Sequence, residues 1–370
     1  MSRQVNVLVG TNKGLFLYQS DANRREWKLR GPFLSGWEVY SVLGDSRHGQ
    51  RIFAGTSHMA YGPTLRVSED FGETWQQISD GPHYPAETNF KLNRFWQIVP
   101  GHESDPDTLF VGAEEAGIFV SRDRGASWQE LDGLTKHPTR PGWFPGAGGM
   151  CLHTILIHPT NPKRMWVAMS AVGVFRSDDS GETWQSRNQG LGRAATGQPY
   201  PEVGYCVHKM ALDPEDPNTL YMQEHTGVFM STDGADSWFP IEEGLPSDRI
   251  QHPEMMPFGF PIAVTRIGDL FLVPLESSEQ RTVRGGKLLV YRRVRGGSCW
   301  EPVGDVLPDE PRHVSVLRDA MTTDGMEQEG LYFGTTSGEL YASLDRGENW
   351  QRLPGQLSRI LTVKTWSVEA

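Results

Sequence analysis

The 370-residue chain has few cysteines, no long apolar run and no excess of basic charge, and each shortage excludes a class of protein. Cys151, Cys206 and Cys299 are too few for a disulfide framework, which favours a reducing compartment. No apolar stretch approaches the roughly 20 residues that span a bilayer, and the first residues lack the basic and apolar regions of a secretion signal. A net charge of −11 argues against nucleic acid, because phosphate binding requires a basic face. We therefore expect a cytoplasmic protein without a membrane or nucleic-acid partner.

Familiar catalytic motifs are missing as well. The sequence contains no Gly-x-Ser-x-Gly elbow, no Gly-x-x-x-x-Gly-Lys-Ser/Thr phosphate loop and no Cys-x-x-Cys pair. Glycine and proline, by contrast, are abundant. The 41 glycines and 25 prolines follow no collagen period, and they indicate many turns between short strands.

One octapeptide, Ser-x-Asp-x-Gly-x-Thr-Trp, recurs along the chain with small substitutions. The five clear copies occupy residues 68–75, 121–128, 177–184, 231–238 and 343–350. Two weaker copies keep mainly the tryptophan, at Trp27 and Trp300. The tryptophans that end successive copies lie 48 to 62 residues apart. This spacing is a structural period, and such periods are typical of repeat architectures.

The chemistry of the octapeptide is that of a turn. Its aspartate can accept hydrogen bonds from nearby backbone N–H groups, and its glycine adopts a positive φ at little steric cost. The tryptophan then begins the next strand and buries a large ring between neighbouring sheets. We expect these aspartates to hold hairpins rather than to catalyse, because a catalytic residue has no reason to recur in every repeat.

The segments around each copy predict four short strands per repeat, separated by Asp-Pro, Asn-Pro and glycine turns. One four-stranded antiparallel sheet per repeat predicts an all-β, seven-bladed β-propeller, a single domain over residues 1–370. The N-terminal repeat lacks its first strand, which the C-terminal segment 360–364 can supply. Blade 1 would then consist of residues 1–30 and 358–366, and pairing of the two terminal strands would close the ring without a free sheet edge.

The octapeptide and its spacing resemble the Asp-box, or bacterial neuraminidase, repeat. This repeat is shared by sialidases, sortilin-type receptors, xyloglucan-active glycosidases and photosystem assembly propellers, so the resemblance implies a propeller but no single chemistry. Sialidases have six blades and need three arginines, a tyrosine–glutamate pair and an acidic aspartate. No such set can be placed on this sequence, and sialidase activity is not expected.

Four long loops, rich in aromatic residues, proline and histidine, are predicted on one face of the ring. They comprise residues 79–94, 131–151, 189–206 and 243–261. Plain connections are shorter, so these loops suggest the wall of a pocket, with a ring cap or an oligomer contact as the alternative.

Two innermost strands begin with the same tripeptide pattern, Cys151-x-His153 and Cys206-x-His208. Alignment by the proline punctuation puts Tyr40, Gln97, His313 and Arg359 at about the same height in other blades. We expect His153, His208 and His313 to bind a divalent transition metal such as zinc, copper or iron, since imidazole suits these ions. The alternative is that these histidines are polar residues lining the channel.

Carboxylates on the same face offer a second chemistry, because hydrolysis of a glycosidic bond needs two of them. We predict Glu114 and Glu224 as the catalytic pair, with Glu38 and Glu202 as further candidates. The predicted substrate-binding residues are Tyr40, Gln97, Trp143, Tyr200 and Arg359. An arginine-rich hairpin at 281–295 is another place for an anionic partner.

The sequence therefore predicts binding, and hydrolysis, of a small polar or carbohydrate-like ligand at one mouth of the channel. The alternative is a non-catalytic protein-interaction scaffold or assembly factor.

Overall fold

A computed structural model of the chain describes residues 3–191, 202–246, 257–304 and 311–369. Nearly all regular structure in these ranges is β-strand, which confirms the all-β prediction. Two 3-10 turns, Arg140–Gly142 and Arg284–Gly286, interrupt the loops. Among the described residues, no helix has the length and apolarity that a membrane crossing needs.

The N-terminal half consists of one three-stranded segment followed by three four-stranded antiparallel sheets. The first segment contains β1 (Arg3–Thr11), β2 (Gly14–Asp21) and β3 (Lys28–Phe33). The next sheet contains β4 (Glu38–Asp45), β5 (Arg51–His58), β6 (Gly62–Ser68) and β7 (Gln76–Gln77). The third contains β8 (Phe95–Pro100), β9 (Leu109–Ala113), β10 (Ile118–Ser121) and β11 (Gln129–Glu130). The fourth contains β12 (Leu152–Ile157), β13 (Met165–Met169), β14 (Gly173–Ser177) and β15 (Gln185–Ser186).

The C-terminal half repeats the same plan with one irregular unit. A regular sheet contains β16 (Val207–Leu212), β17 (Leu220–Glu224), β18 (Gly227–Ser231) and β19 (Phe239–Pro240). The irregular unit contains β20 (Phe258–Gly259), β21 (Ala263–Val264), β22 (Leu270–Leu272), β23 (Pro274–Leu275), β24 (Val290–Arg293) and β25 (Glu301–Val303). The last strands are β26 (Val316–Thr323), β27 (Leu331–Thr335), β28 (Leu340–Ser343), β29 (Gln351–Arg352) and β30 (Ile360–Glu369).

The first and last strands of the chain lie side by side. β1 pairs antiparallel with β30 from Arg3↔Glu369 to Thr11↔Ile360. A parallel bridge, Asp319↔Thr362, joins β30 to β26. β30 therefore provides the innermost strand for the sheet that β1, β2 and β3 continue.

The core lies between the faces of adjacent sheets. Second strands such as β9, β13 and β17 are buried along their whole length, whereas the short outermost strands are mostly exposed. One apolar cluster joins Trp166 of β13 to Met210 of β16 and Met222 of β17, and so links two neighbouring sheets. Burial on both faces explains why these strands read as continuous apolar runs rather than as alternating patterns.

The octapeptide forms the predicted turn. At residues 68–75, the Asp70 carboxylate accepts the Thr74 backbone N–H at 2.9 Å, and the Ser68 hydroxyl accepts the Gly72 N–H at 2.8 Å. The Trp75 indole donates to the Gly72 carbonyl at 2.9 Å. Gly72 has a φ of +89°, which disfavours other residues. The aspartate and serine bonds recur in the other four copies, so the turn is structural.

Innermost strands carry a bulge near their start. The pairing register shifts between Val39 and Ser41, so that Tyr40 is the extra residue. Equivalent shifts make Trp96, His153 and His208 the extra residues of β8, β12 and β16. A bulge re-aims side chains at the end of a strand, and here it does so at one end of several sheets.

Candidate functional site

A cavity of about 730 Å³ lies where innermost strands begin and the turns between second and third strands end. Its walls come from both halves of the chain and include Arg94, Gly148, Gly149 and Phe260 from three of the long loops. The charged lining residues are Glu38, Arg94, Glu114, Arg281, Arg318, Asp319 and Arg359. The other lining residues that carry a polar or aromatic side chain include Asn12, Tyr40, Trp96 and His313.

Glu114 is held in place on one wall. Its Oε2 accepts the Trp96 indole N–H at 3.1 Å and lies 3.6 Å from Arg94 Nη1. The Arg94 guanidinium also lies over the Tyr40 ring, 4.9 Å from its centroid. Burial raises the pKa of Tyr40, although the nearby Arg94 opposes that shift. Glu114 therefore keeps a fixed orientation and presents an acceptor to the cavity.

Gly149 lies directly against this carboxylate. Its φ is +96°, and a Cβ there would come within 2.3 Å of Glu114 Oε1. Gly148, its neighbour in the same wall, has no atom within 4 Å of a Cβ. The positive φ therefore favours glycine at 149, where a Cβ would also displace the Glu114 carboxylate, and neither condition applies at 148.

Three cavity arginines have no acidic partner in the part of the chain that the structure describes. Among the described residues, no carboxylate oxygen lies within 4 Å of Arg281, Arg318 or Arg359. Arg318 instead donates to Cys151 Sγ at 3.0 Å and lies 5.4 Å from the Trp96 ring centroid. Guanidinium groups without a counter-ion are ready to bind carboxylate or phosphate.

Asp319 is not available to a ligand in the same way. Its Oδ1 lies 2.5 Å from Lys209 Nζ and 3.1 Å from Lys364 Nζ. Burial opposes its charge, but the two lysines outweigh burial and hold the pKa of Asp319 well below its usual range. The carboxylate is therefore ionised and neutralised by its own neighbours.

Glu224, the predicted partner of Glu114, does not line the cavity. Its oxygens accept the Cys206 N–H at 3.1 Å and the Thr226 N–H at 2.6 Å. Burial raises the pKa of Glu224, and these hydrogen bonds oppose the increase. The side chain stabilises its own turn, and Glu38 is the second glutamate that reaches the cavity.

The three predicted metal ligands lie in different environments. His153 is fully buried, with Nε2 2.9 Å from the Val207 carbonyl and Nδ1 3.0 Å from Thr154 Oγ1. His313 is exposed and lines the cavity. His208 is buried, and burial lowers its pKa to about 3. The donor group that the structure brings together contains His208 with Cys206 and His225, not with His153 or His313.

Only some of the predicted substrate-binding residues line the cavity. Tyr40 and Arg359 line the cavity. Gln97 lies one position past the bulge and accepts the Ile155 N–H at 2.6 Å, so it links neighbouring sheets. Trp143 is buried in its loop, where its indole donates to Thr139 Oγ1 at 2.9 Å. Tyr200 lies outside the described residues.

Sequence reasoning missed Arg94, Arg318 and Asp319. The sequence did contain a sign of Arg318 and Asp319, because charged residues in an apolar strand are seldom buried unless they are paired. The proline-based alignment placed His313 at the start of this strand, but β26 begins at Val316. Trp96 was missed as the equivalent of the two histidines because the turn between β8 and β9 is one residue longer than the matching turns, which shifts a proline-based alignment by one position.

No family model matches the chain. Its sequence is 23% identical to xyloglucanase Xgh74A of Acetivibrio thermocellus over 274 residues, which cover 66% of this chain and 31% of that protein. It is 22% identical over 188 residues to an oligoxyloglucan-reducing end-specific xyloglucanase of Emericella nidulans, covering 48% of this chain and 19% of that protein. The chain thus spans less than a third of the length of these curated relatives.

Solved structures show the same fold. An ancestral GH74 enzyme superposes with a TM-score of 0.56 at 19% identity, over 88% of this chain and 38% of that one. YCF48 bound to a D1 peptide superposes with a TM-score of 0.51 at 16% identity, over 85% of this chain and 81% of that one. At these identities the likeness concerns the fold alone, and with the repeated four-stranded sheets it identifies the chain as a β-propeller.

Proposed function

We propose that this propeller binds a small acidic, carbohydrate-like ligand in its 730 Å³ cavity. The observation that carries the proposal is the set of three cavity arginines without a carboxylate partner among the described residues. In a chain of net charge −11, such a local basic site favours a complementary anion. The cavity volume falls within the roughly 300–1,000 Å³ of typical small-molecule sites.

An aromatic surface beside the cavity supports a carbohydrate ligand. The exposed Tyr61 ring stacks on Trp37 at 6.0 Å and on His58 at 4.9 Å between ring centroids. Glu38, the next residue after Trp37, lines the cavity. Aromatic faces offer apolar contact area to sugar rings, and the xyloglucanase names of the relatives favour the same ligand class.

Hydrolysis is the second part of the proposal. Glu38 and Glu114 line one cavity, and two carboxylates are what cleavage of a glycosidic bond needs. In this scheme Glu114, fixed by Trp96 and Arg94, is one member of the pair and Glu38 is the other. Glu38 thus takes the place of Glu224, whose oxygens accept hydrogen bonds from its own turn.

Seven blades in a closed ring are proposed as the frame of this site. The support is the seven tryptophan-marked repeats and the pairing of β1 with β30. A cytoplasmic location is proposed from the three free cysteines, of which Cys299 is exposed.

Protein binding on the same face is a second candidate. It is favoured by the YCF48 structure that carries a peptide, because this chain covers 81% of that propeller. A scaffold of this kind would use the long loops and would not require Glu114.

Ligand binding can be tested by calorimetry with matched acidic and neutral oligosaccharides and sugar acids. We expect an acidic member to bind, and Arg359→Gln and Arg318→Gln to weaken its binding at least about tenfold. Arg122→Gln, at an exposed position in the second octapeptide, is the matched control. Equal affinity for neutral analogues, or unchanged binding in Arg359→Gln, would overturn the proposal.

Catalysis is tested separately from ligand binding. Glu114→Gln should abolish cleavage of a bound oligosaccharide while the protein remains folded. Cleavage by the Glu114→Gln variant would exclude a role of Glu114 in hydrolysis. Partner capture that survives Glu114→Gln but is lost when residues 131–151 are shortened would favour the scaffold.

A further inference from the structure

Three metal-binding side chains converge at one end of the sheet formed by β16 to β19. Cys206 Sγ, a ring nitrogen of His208 and a ring nitrogen of His225 all lie within 4.8 Å of one another. We propose that these residues bind a transition metal, most naturally zinc. The site is independent of whether the cavity binds an acidic ligand.

The backbone brings the three donors together without help from a metal. Cys206 precedes β16, His208 is the bulge residue of that strand, and His225 lies in the turn after β17. The His225 N–H donates to the Cys206 carbonyl at 3.0 Å. The Glu224 carboxylate in turn accepts the Cys206 N–H at 3.1 Å. Strand pairing therefore fixes the relative positions of the three residues.

The His208 ring has one nitrogen that is free to act as a ligand. Its Nδ1 lies 2.6 Å from the Gly259 carbonyl, so Nδ1 carries the proton and Nε2 keeps a lone pair. Metal-binding histidines commonly donate their other N–H to a carbonyl in this manner. No hydrogen bond from a described residue occupies Nε2. His208 is only 3% exposed, and Phe258 and Phe260 each lie 5.0 Å from its ring centroid.

The separations suit a tetrahedral ion after a small contraction. Zinc bonds of ~2.0–2.3 Å place neighbouring ligand atoms about 3.3–3.7 Å apart. Cys206 and the partly exposed His225 lie at a strand end and in a turn, where side chains can make that adjustment. One thiolate and two imidazoles favour zinc or copper, and three protein ligands leave a fourth position for water. Binding would release the thiol proton.

The matching tripeptide in the preceding sheet shows what a third donor adds. Cys151 and His153 occupy the same places on β12, but the corresponding turn holds Ser170 and Ala171 instead of a histidine. Both ring nitrogens of His153 also have partners already. The sequence repeat therefore creates two candidates, and only the second gathers three donors.

The test is metal binding by protein purified without a histidine tag, stripped by chelator and then titrated with Zn²⁺ or Co²⁺. We expect one equivalent per chain, a rise in Tm with Zn²⁺, and the Co²⁺ spectrum of a tetrahedral site with a thiolate-to-metal charge-transfer band. Cys206→Ser should remove that band.

His225→Ala is the decisive variant, because its side chain is partly exposed and the variant should fold. It should weaken binding at least about tenfold. His153→Gln and His313→Gln, which alter the histidines of the sequence-based hypothesis, should bind as the parent does. Less than about a tenth of an equivalent in the parent protein, or unchanged affinity in His225→Ala, would overturn the proposal.

Discussion

Lys209 Nζ lies 2.5 Å from Asp319 Oδ1, although 110 residues separate them in sequence. Lys209 belongs to β16 and Asp319 to β26, and Lys364 of β30 approaches the same oxygen at 3.1 Å. β16 of one sheet thus meets β26 and β30, which are joined in a second sheet, at one buried carboxylate. This ion cluster joins repeats that are distant in sequence, and its Asp319 lines the cavity.

Removing Lys209 should destabilise the protein strongly. Breaking a buried pair leaves an uncompensated charge and costs ~3–5 kcal/mol. We expect Lys209→Met to lower the free energy of unfolding by about 3 kcal/mol, because Lys364 still compensates part of the charge. Urea denaturation measures the change. Lys136→Met, which removes an exposed pair with Asp132, should have no measurable effect. Equal stability of the two variants would contradict the prediction.

His153 should make the protein less stable in mild acid. Burial, together with the nearby Arg318 and Lys209, lowers the pKa of His153 well below 6.5. Below pH 6.5, therefore, His153 binds a proton in the unfolded chain but not in the folded chain. Stability present above this pH is lost as the pH falls, by up to about 1.4 kcal/mol per pH unit for one such group. His153→Gln should remove this contribution, as read from urea denaturation at pH 7 and pH 5. His83→Gln, at an exposed site, should keep the parent slope, and a parent-like slope in His153→Gln would refute the idea.

Gly149→Ala should damage the cavity through Glu114. The added Cβ would lie 2.3 Å from Glu114 Oε1, and the φ of +96° would be strained as well. We expect a stability loss of about 1 kcal/mol or more and ligand affinity reduced about tenfold, measured by calorimetry. Gly148→Ala is the control, since a Cβ there meets nothing within 4 Å. If both variants bind ligand equally, Glu114 does not depend on this glycine.

The octapeptide aspartates should contribute to stability and not to ligand binding. Asp179 accepts the Thr183 N–H at 2.9 Å and the Thr183 hydroxyl at 2.5 Å. Asp179→Ala should cost about 1–2 kcal/mol, since it removes the hydrogen bonds that hold the turn, each with a net contribution of about 1 kcal/mol. Glu182→Ala changes an exposed residue of the same turn and should be neutral. Reduced cavity binding in folded Asp179→Ala would argue for a functional role instead.

The sequence by itself determined the repeat, the strands and the turns. The octapeptide acts through hydrogen bonds between residues at most four apart, so its conformation follows from local chemistry. The apolar runs and the glycine turns likewise predicted the all-β architecture from local sequence alone. Of the residues predicted from the long loops and the inner strand ends, Glu114, Tyr40 and Arg359 line the cavity.

Only the tertiary structure decided which of these side chains meet. A bulge adds one residue and reverses the direction of the next side chain, so Trp96 faces the cavity while Gln97 bonds to the neighbouring sheet. The Lys209–Asp319 pair and the grouping of Arg281, Arg318 and Arg359 in one cavity depend on repeats far apart in sequence. The joining of His208 to Cys206 and His225 likewise required strand pairing within one sheet, which a repeat pattern does not reveal.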